Sequence, residues 1–373
     1  MKLLVKATIL DDFDAVKRVD KSNMLSFCVD AAKHYGSAAK LTEKIEISYS
    51  KPKTVIVGGM GGSAIGGDLL KDWARSRVTV SIEVCRDYSL PAYADRETLV
   101  VVTSYSGETE EALNVFLDAV KRRCMIFCIS SGGVLQEFAH KLSIPHLLVP
   151  GGMAPRATLP YLFMPLPAIL EKVGLVSGLK EEYLETVRIL KQVSTENSPN
   201  RPLSDNLSKK LASEIKGTIP SIYGFGIYKS VAQRFKTQIN ENSKNPAKWE
   251  FFPELNHNEI VGWEGVREFA EVLSVIFIRD QLEPEEIRQR IEVTKDIVSH
   301  KTRRLSEVWS RGESDMAKMS SVICIGDFTS VYLAALRGID PTPVKTIDVL
   351  KERLTETGVK QRTINELKRL AKN

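Results

Sequence analysis

The 373-residue chain has room for about two domains and for a large core without covalent staples. Its 43% hydrophobic and 27% charged residues are ordinary for a globular protein, and the formal charge of only +5 fits an anionic small molecule while demanding neither nucleic acid nor a membrane. Five scattered cysteines make no disulfide framework, and Cys85, Cys124 and Cys128 fall in apolar strand-like runs, which points to a reducing, cytoplasmic setting.

At the N-terminus Lys2 and Lys6 precede an acidic cluster, Asp11, Asp12 and Asp14, without the apolar region or cleavage site of a signal peptide. Residues 11–48 read as helical, with apolar positions such as Val16, Val19, Met24, Phe27 and Ala31 recurring at three and four. The pattern then changes. Short apolar runs at 54–57, 78–84, 99–102, 125–129 and 147–149 alternate with helical stretches at 64–76 and 108–122. Buried strands alternating with helices predict a parallel sheet covered on both faces, with ligands at the carboxyl ends of its strands. Residues 151–176 read as an apolar, proline-rich connector, in which 159–170 is the longest apolar stretch but too short and too rich in proline to span a membrane. A helix is expected over 179–193, and 194–204, with Pro199 and Pro202, is the best linker.

The strand–glycine–helix theme then returns. Ser221-Ile222-Tyr223 runs into Gly224-Phe225-Gly226 and a helix follows through Gln238; 272–278 is ambiguous between strand and helix, and 321–325 reads as a strand ending at Gly326-Asp327. The expected fold class is therefore α/β, with two doubly wound parallel-sheet lobes and flanking helices. The last segment, from Ile347, reads as a basic, solvated amphipathic helix carrying Lys360, Arg362, Lys368, Arg369 and Lys372.

Four constellations carry chemistry. The first loop, Gly58-Gly59-Met60-Gly61-Gly62-Ser63-Ala64-Ile65-Gly66-Gly67, joins a strand to a helix, where a close backbone and free N–H groups suit an anion. Tight packing is the alternative reading, but six glycines in ten residues exceed what packing alone is expected to need. A loose dinucleotide fingerprint there is weak, because its acidic partner Glu83 falls in mid-strand. The second loop, Ser104-Tyr105-Ser106-Gly107-Glu108-Thr109, brings three hydroxyls to a helix start without a P-loop lysine, which suits a phosphate monoester; a helix cap needs only one hydroxyl. The third, Asn240-Glu241-Asn242-Ser243-Lys244, offers Glu241 among amides as a general base, or a polar helix end. The fourth, Pro253-Glu254-Leu255-Asn256-His257-Asn258-Glu259, offers His257 as a proton shuttle, or a surface histidine. The five histidines are dispersed, and no metal site is expected.

These residues resemble the bifunctional phosphoglucose/phosphomannose isomerases of the phosphoglucose isomerase superfamily. The match runs from about residue 50 to about 355, through Gly61-Gly62-Ser63-Ala64, the hydroxyl loop, Ala154-Pro155-Arg156, Asn240-Glu241-Asn242-Ser243-Lys244 and Glu254-Leu255-Asn256-His257-Asn258-Glu259. The resemblance implies two sugar-isomerase domains, placed here at 51–193 and 209–351; the N-terminal helical region at 1–50, the polar linker at 194–208 and the tail at 352–373 are where the chain exceeds the compact family members. It implies that Ser104, Ser106 and Thr109 hold the phosphate of a hexose substrate and that Gly61, Gly62 and Ser63 contact the sugar. Glu241 would move the proton between C1 and C2, Arg156 would stabilise the enediolate, and His257, donated by the neighbouring subunit of a homodimer, would assist ring opening. A lysine completes the site, Lys351 being the choice over Lys345. Neither metal nor redox cofactor is implied. The alternative is a non-catalytic sugar-phosphate-binding regulator of the same fold, and a nicotinamide-dependent oxidoreductase is a weaker one.

Overall fold

The computed structural model describes residues 8–265, 269–302 and 304–372, so Lys2 and Lys6 lie outside the described residues. Helices α1 (Phe13–Val19), α2 (Met24–Val29) and α3 (Ala31–Thr42) precede β1 (Thr54–Gly58), α4 (Gly62–Ala74), β2 (Ser81–Cys85), β3 (Thr98–Thr103), α5 (Glu110–Lys121), β4 (Met125–Ser130), α6 (Gly133–Lys141) and β5 (His146–Leu148). Then come α7 (Leu159–Phe163), α8 (Pro165–Lys172), α9 (Leu179–Glu196) and α10 (Leu207–Ile215). A second alternating run follows: β6 (Ile219–Phe225), α11 (Lys229–Ser243), β7 (Lys248–Phe252), α12 (Glu259–Gly262), β8 (Leu273–Arg279), α13 (Glu285–Ser299), β9 (Leu305–Trp309) and α14 (Asp315–Leu336). The last helices are α15 (Lys345–Thr355) and α16 (Val359–Leu370).

The chain divides into two compact units, one of Met1–Lys33 with Glu182–Pro343, the other of His34–Glu181 with Val344–Asn373. The latter holds a five-stranded sheet of order β2-β1-β3-β4-β5, parallel throughout. Its central strand β3, Thr-Leu-Val-Val-Val-Thr, is buried at every position, as an apolar run without alternation requires. The other unit holds a four-stranded parallel sheet of order β7-β6-β8-β9. Counted within each unit, both sheets follow the order second, first, third, fourth. The duplicated α/β architecture expected from the sequence is thus present.

Three expectations differ from the structure. The run 321–325 is not a strand but the middle of the 22-residue helix α14, nearly all of it buried. A helix packed on all sides has no polar face, so its apolar positions show no helical period and a short window of it reads as a strand. With its length and composition α14 is also the one described helix apolar enough to cross a membrane, but most of it lies inside its own unit against α10 and α11. The proposed linker is no break: α9 runs on to Glu196, and fully buried Lys209 reaches back to the carbonyls of Pro199 (3.0 Å) and Arg201 (2.6 Å) and to Asp11 (3.2 Å). The boundaries differ accordingly. Residues to Lys33 belong with the second sheet, and the segment from Val344 belongs with the first.

That last assignment has a clear cause. Helix α16 is amphipathic, and its buried Leu367 joins the apolar cluster of Leu113, Phe116 and Phe138. Thr363 Oγ1 donates to Asn114 Oδ1 over 3.0 Å, and Lys121 pairs with Glu366. One face of the basic tail is packed, and the solvated-helix reading holds only for the other. The ambiguous run 272–278 is strand β8.

Candidate functional site

The first glycine loop leaves β1 and enters α4, with Gly61 at φ +51°. Most of its glycines are there to let elements meet. A Cβ on Gly59 would fall 2.6 Å from Thr103 Oγ1, on Gly67 2.9 Å from Val57 Cβ, and on Gly66 3.1 Å from the Leu162 carbonyl oxygen. Packing therefore accounts for more of this loop than the sequence suggested, since only Gly61 has open space around it. Ser63 is buried and its Oγ accepts from the Tyr105 N–H at 3.3 Å, tying the first loop to the second. Thr103 Oγ1, from the end of β3, donates to the Ser63 carbonyl at 3.0 Å.

The hydroxyl loop joins β3 to α5. Its three hydroxyls differ in setting. Ser104 is fully buried and donates to Thr109 Oγ1 at 3.0 Å; Thr109 is half-buried at the helix start and makes no side-chain cap; Ser106 is exposed and its Oγ accepts from the Glu108 N–H at 3.2 Å. The loop after β4 braces it. Ser131 N and Oγ donate to the Tyr105 carbonyl at 2.8 and 2.7 Å, and a Cβ on Gly107, at φ +68°, would stand 1.9 Å from the Gly132 carbonyl oxygen. Beneath this brace Ser130 Oγ donates to the Gly132 carbonyl at 2.8 Å and meets His146 Nε2 at 2.8 Å. With the serine proton committed, His146 donates from Nε2. Burial, with His140 alongside, pulls its pKa down to about 4.

Arg156 is buried in a 3-10 turn at Pro155–Ala157, and its Cα lies 3.6 Å from where a Gly62 Cβ would be, so its segment abuts the first loop. Lys351 stands on α15. Together with Ser106 and Thr109 it lines a cavity of about 370 Å³, walled also by Met60, Ile347 and Leu350. Lys345 is not among the cavity's walls. The first loop, the hydroxyl loop, the brace, Arg156 and Lys351 thus gather at the carboxyl end of one sheet. Two held carboxylates there, Glu108 gripped by Lys360 and Glu110 by Tyr88, were not legible in the sequence, because their partners lie far apart along the chain.

Glu241 and His257 belong to the other unit. Glu241 is half-buried in the last turn of α11, which the left-handed Lys244 (φ +51°) terminates. The surrounding side chains fix the turn that carries Glu241. Asn242 Nδ2 donates to Ser330 Oγ (2.8 Å), Ser243 Oγ to the Ser330 carbonyl (2.9 Å) and Asn240 Nδ2 to the Asn245 carbonyl (2.8 Å). His257 is exposed on a short 3-10 turn, Glu254–His257. Asn256 Nδ2 holds that turn to Thr294 at 2.9 Å, and Asn258 Nδ2 donates to Glu254 at 2.7 Å. Beyond the carboxyl end of β8, Asp280 receives the Tyr228 hydroxyl and Lys318 Nζ (3.2 Å). Among the described residues no group of three or more His, Cys, Asp or Glu is arranged to hold a metal.

Comparison with known proteins bears on this arrangement. The model of the bacterial phospho-glucose isomerase C-terminal SIS domain matches residues 204–354. A bifunctional phosphoglucose/phosphomannose isomerase of Caldicellulosiruptor bescii is 41% identical over 303 residues, 81% of this chain and 89% of the relative. The chain belongs to the bifunctional phosphoglucose/phosphomannose isomerase family. A member from Aquifex aeolicus is 34% identical over 81% of this chain and 90% of its own. In fold the chain is similar to a hypothetical protein from Thermus thermophilus, with a TM-score of 0.73 at 14% identity over 92% of this chain and 93% of that one. Family membership favours an isomerase over a regulator that only binds sugar phosphate.

Proposed function

We propose that the protein interconverts fructose 6-phosphate with glucose 6-phosphate and with mannose 6-phosphate through a cis-enediol, without a metal or redox cofactor. The observation that carries this reading is the convergence of Ser106, Thr109 and Lys351 on one cavity beside the N-terminus of α5, in a chain of this family. Hydroxyls, backbone N–H groups and a cation suit a phosphate monoester.

In this reading Ser106 and Thr109 take the phosphate, with Ser104 orienting Thr109. Gly61, Gly62 and Ser63 present the sugar to backbone. His257 assists ring opening. Glu241 removes the C2 proton of the open aldose and returns it at C1, while the hydroxyl proton moves from O2 to O1. Arg156 offsets the charge of the enediolate, and holding the phosphate keeps C1 and C2 in register with the base. The exposure of His257 suits a group that serves a second subunit, so the reading includes a homodimer. The free thiols of Cys28, Cys85, Cys124, Cys128 and Cys324 suit a reducing cytoplasm.

The test is turnover of fructose 6-phosphate in excess EDTA, with glucose 6-phosphate and mannose 6-phosphate followed separately, in wild type and Glu241→Gln. Both products from wild type are expected, and a fall in kcat of about 10²–10⁴ in the variant with substrate still bound. Sugar phosphate bound but never converted by wild type would turn the reading into the regulatory one.

A further inference from the structure

We propose that Lys360 is a positioning residue for the sugar phosphate: by clasping Glu108 it keeps that carboxylate's charge off the hydroxyl loop. The proposal rests on the reading above, in which Ser106 and Thr109 receive the phosphate.

Glu108 sits two residues beyond Ser106, and its own N–H donates to Ser106 Oγ. Its carboxylate is gripped at both oxygens. Oε1 accepts from the Val134 N–H at 2.9 Å, and Oε2 accepts from Lys360 Nζ at 2.5 Å. Glu110 is gripped likewise, by the Lys360 N–H at 3.1 Å and the Tyr88 hydroxyl at 3.0 Å. Ser106, Glu108, Thr109, Glu110, Lys351 and Lys360 all face the same cavity.

This arrangement settles a conflict. Acidic residues at the start of α5 are favoured by the helix dipole, but so is a phosphate at the same N-terminus. An unpaired carboxylate there would repel the ligand that the loop is built to hold. The start of α16 supplies one ammonium and one backbone N–H, which neutralise Glu108 and fix both carboxylates against the wall. Helix α16 does not depend on this pair for its seat, since Thr363 bonds to Asn114 and Leu367 is buried in the core. Lys360 can therefore be replaced with the helix in place.

The experiment compares steady-state turnover of fructose 6-phosphate, and thermal melting, in wild type, Lys360→Met, Lys360→Arg, Glu108→Gln and the Lys360→Met/Glu108→Gln double variant. Lys360→Met is expected to raise KM about threefold to thirtyfold, with kcat little changed and an effect that shrinks as salt is added. Lys360→Arg should stay near wild type. Adding Glu108→Gln to Lys360→Met should return KM to the wild-type level, because the repelling charge is gone. An unchanged KM in Lys360→Met overturns the proposal. So does a raised KM that Glu108→Gln fails to relieve, which would make Lys360 merely structural. A wild-type protein that converts no hexose phosphate overturns the reading of the loop, and this proposal with it.

Discussion

The Ser104 hydroxyl donates to Thr109 Oγ1 over 3.0 Å, across the loop that joins β3 to α5, and Ser104 has no exposed surface. One of the three hydroxyls in the loop therefore orders another, while Ser106 remains exposed. Ser106→Ala and Thr109→Val should each raise KM for a hexose phosphate about tenfold or more, since a hydrogen bond to a charged group is worth about 1.5–3 kcal/mol. Ser104→Ala should do less. Steady-state kinetics on the three variants checks the order, and a Ser104 effect larger than that of Ser106 would refute it.

Gly107 is expected to tolerate no side chain. Its φ of +68° and the Gly132 carbonyl at 1.9 Å from an added Cβ act together. Gly107→Ala should cost about 3 kcal/mol or more, because backbone strain and a clash between two backbones have no flexible side chain to yield. Urea denaturation measures it; a cost below that of a surface substitution would count against this account of the brace.

Stability should carry a signature of His146. Its folded-state pKa is lowered to about 4 by burial, against an ordinary value of 6.5. Between those values the unfolded chain binds the proton and the folded one does not, so stability is full above pH 6.5 and is lost as the pH falls toward 4. Wild type should lose about 1–2 kcal/mol more than His146→Gln between neutral pH and about pH 5. Equal losses in the two proteins would show that His146 is not held neutral.

Lys209 gives a fourth expectation. Its ammonium is fully buried, and burial lowers its pKa, but Asp11 and the carbonyls of Pro199 and Arg201 hold it in place. Lys209→Met should destabilise by about 1–3 kcal/mol, because it takes their Lys209 donor from the carbonyls of Pro199 and Arg201, whereas Asp11 keeps the Leu203 N–H. Proteolysis within 198–206 should rise in parallel; an unaltered cleavage pattern would mean that this segment is ordered by something else.

The sequence alone carried the α/β class, the duplication and the place of the hydroxyl loop between a strand and a helix start, because each is local. Apolar runs of strand length, glycines at strand ends and hydroxyls at a helix start are written within about ten residues of one another. It misread 321–325 for the converse reason: in α14 the surroundings, not the periodicity, set the pattern, and these lie in distant helices. The packing role of Gly59, Gly66 and Gly67 in the first loop is not local, since only the neighbouring elements reveal that Thr103, Leu162 and Val57 occupy the space a Cβ would need. Proline and polarity marked 194–208 as a linker, but a lysine and an aspartate far apart in the chain made it a fixed segment. What tertiary structure alone decided is the seat of the C-terminal helices. Lys351 faces Ser106 and Thr109, and Lys360 faces Glu108, because Leu367 has a pocket on α5, and burial of an apolar face fixes where a helix's charges point.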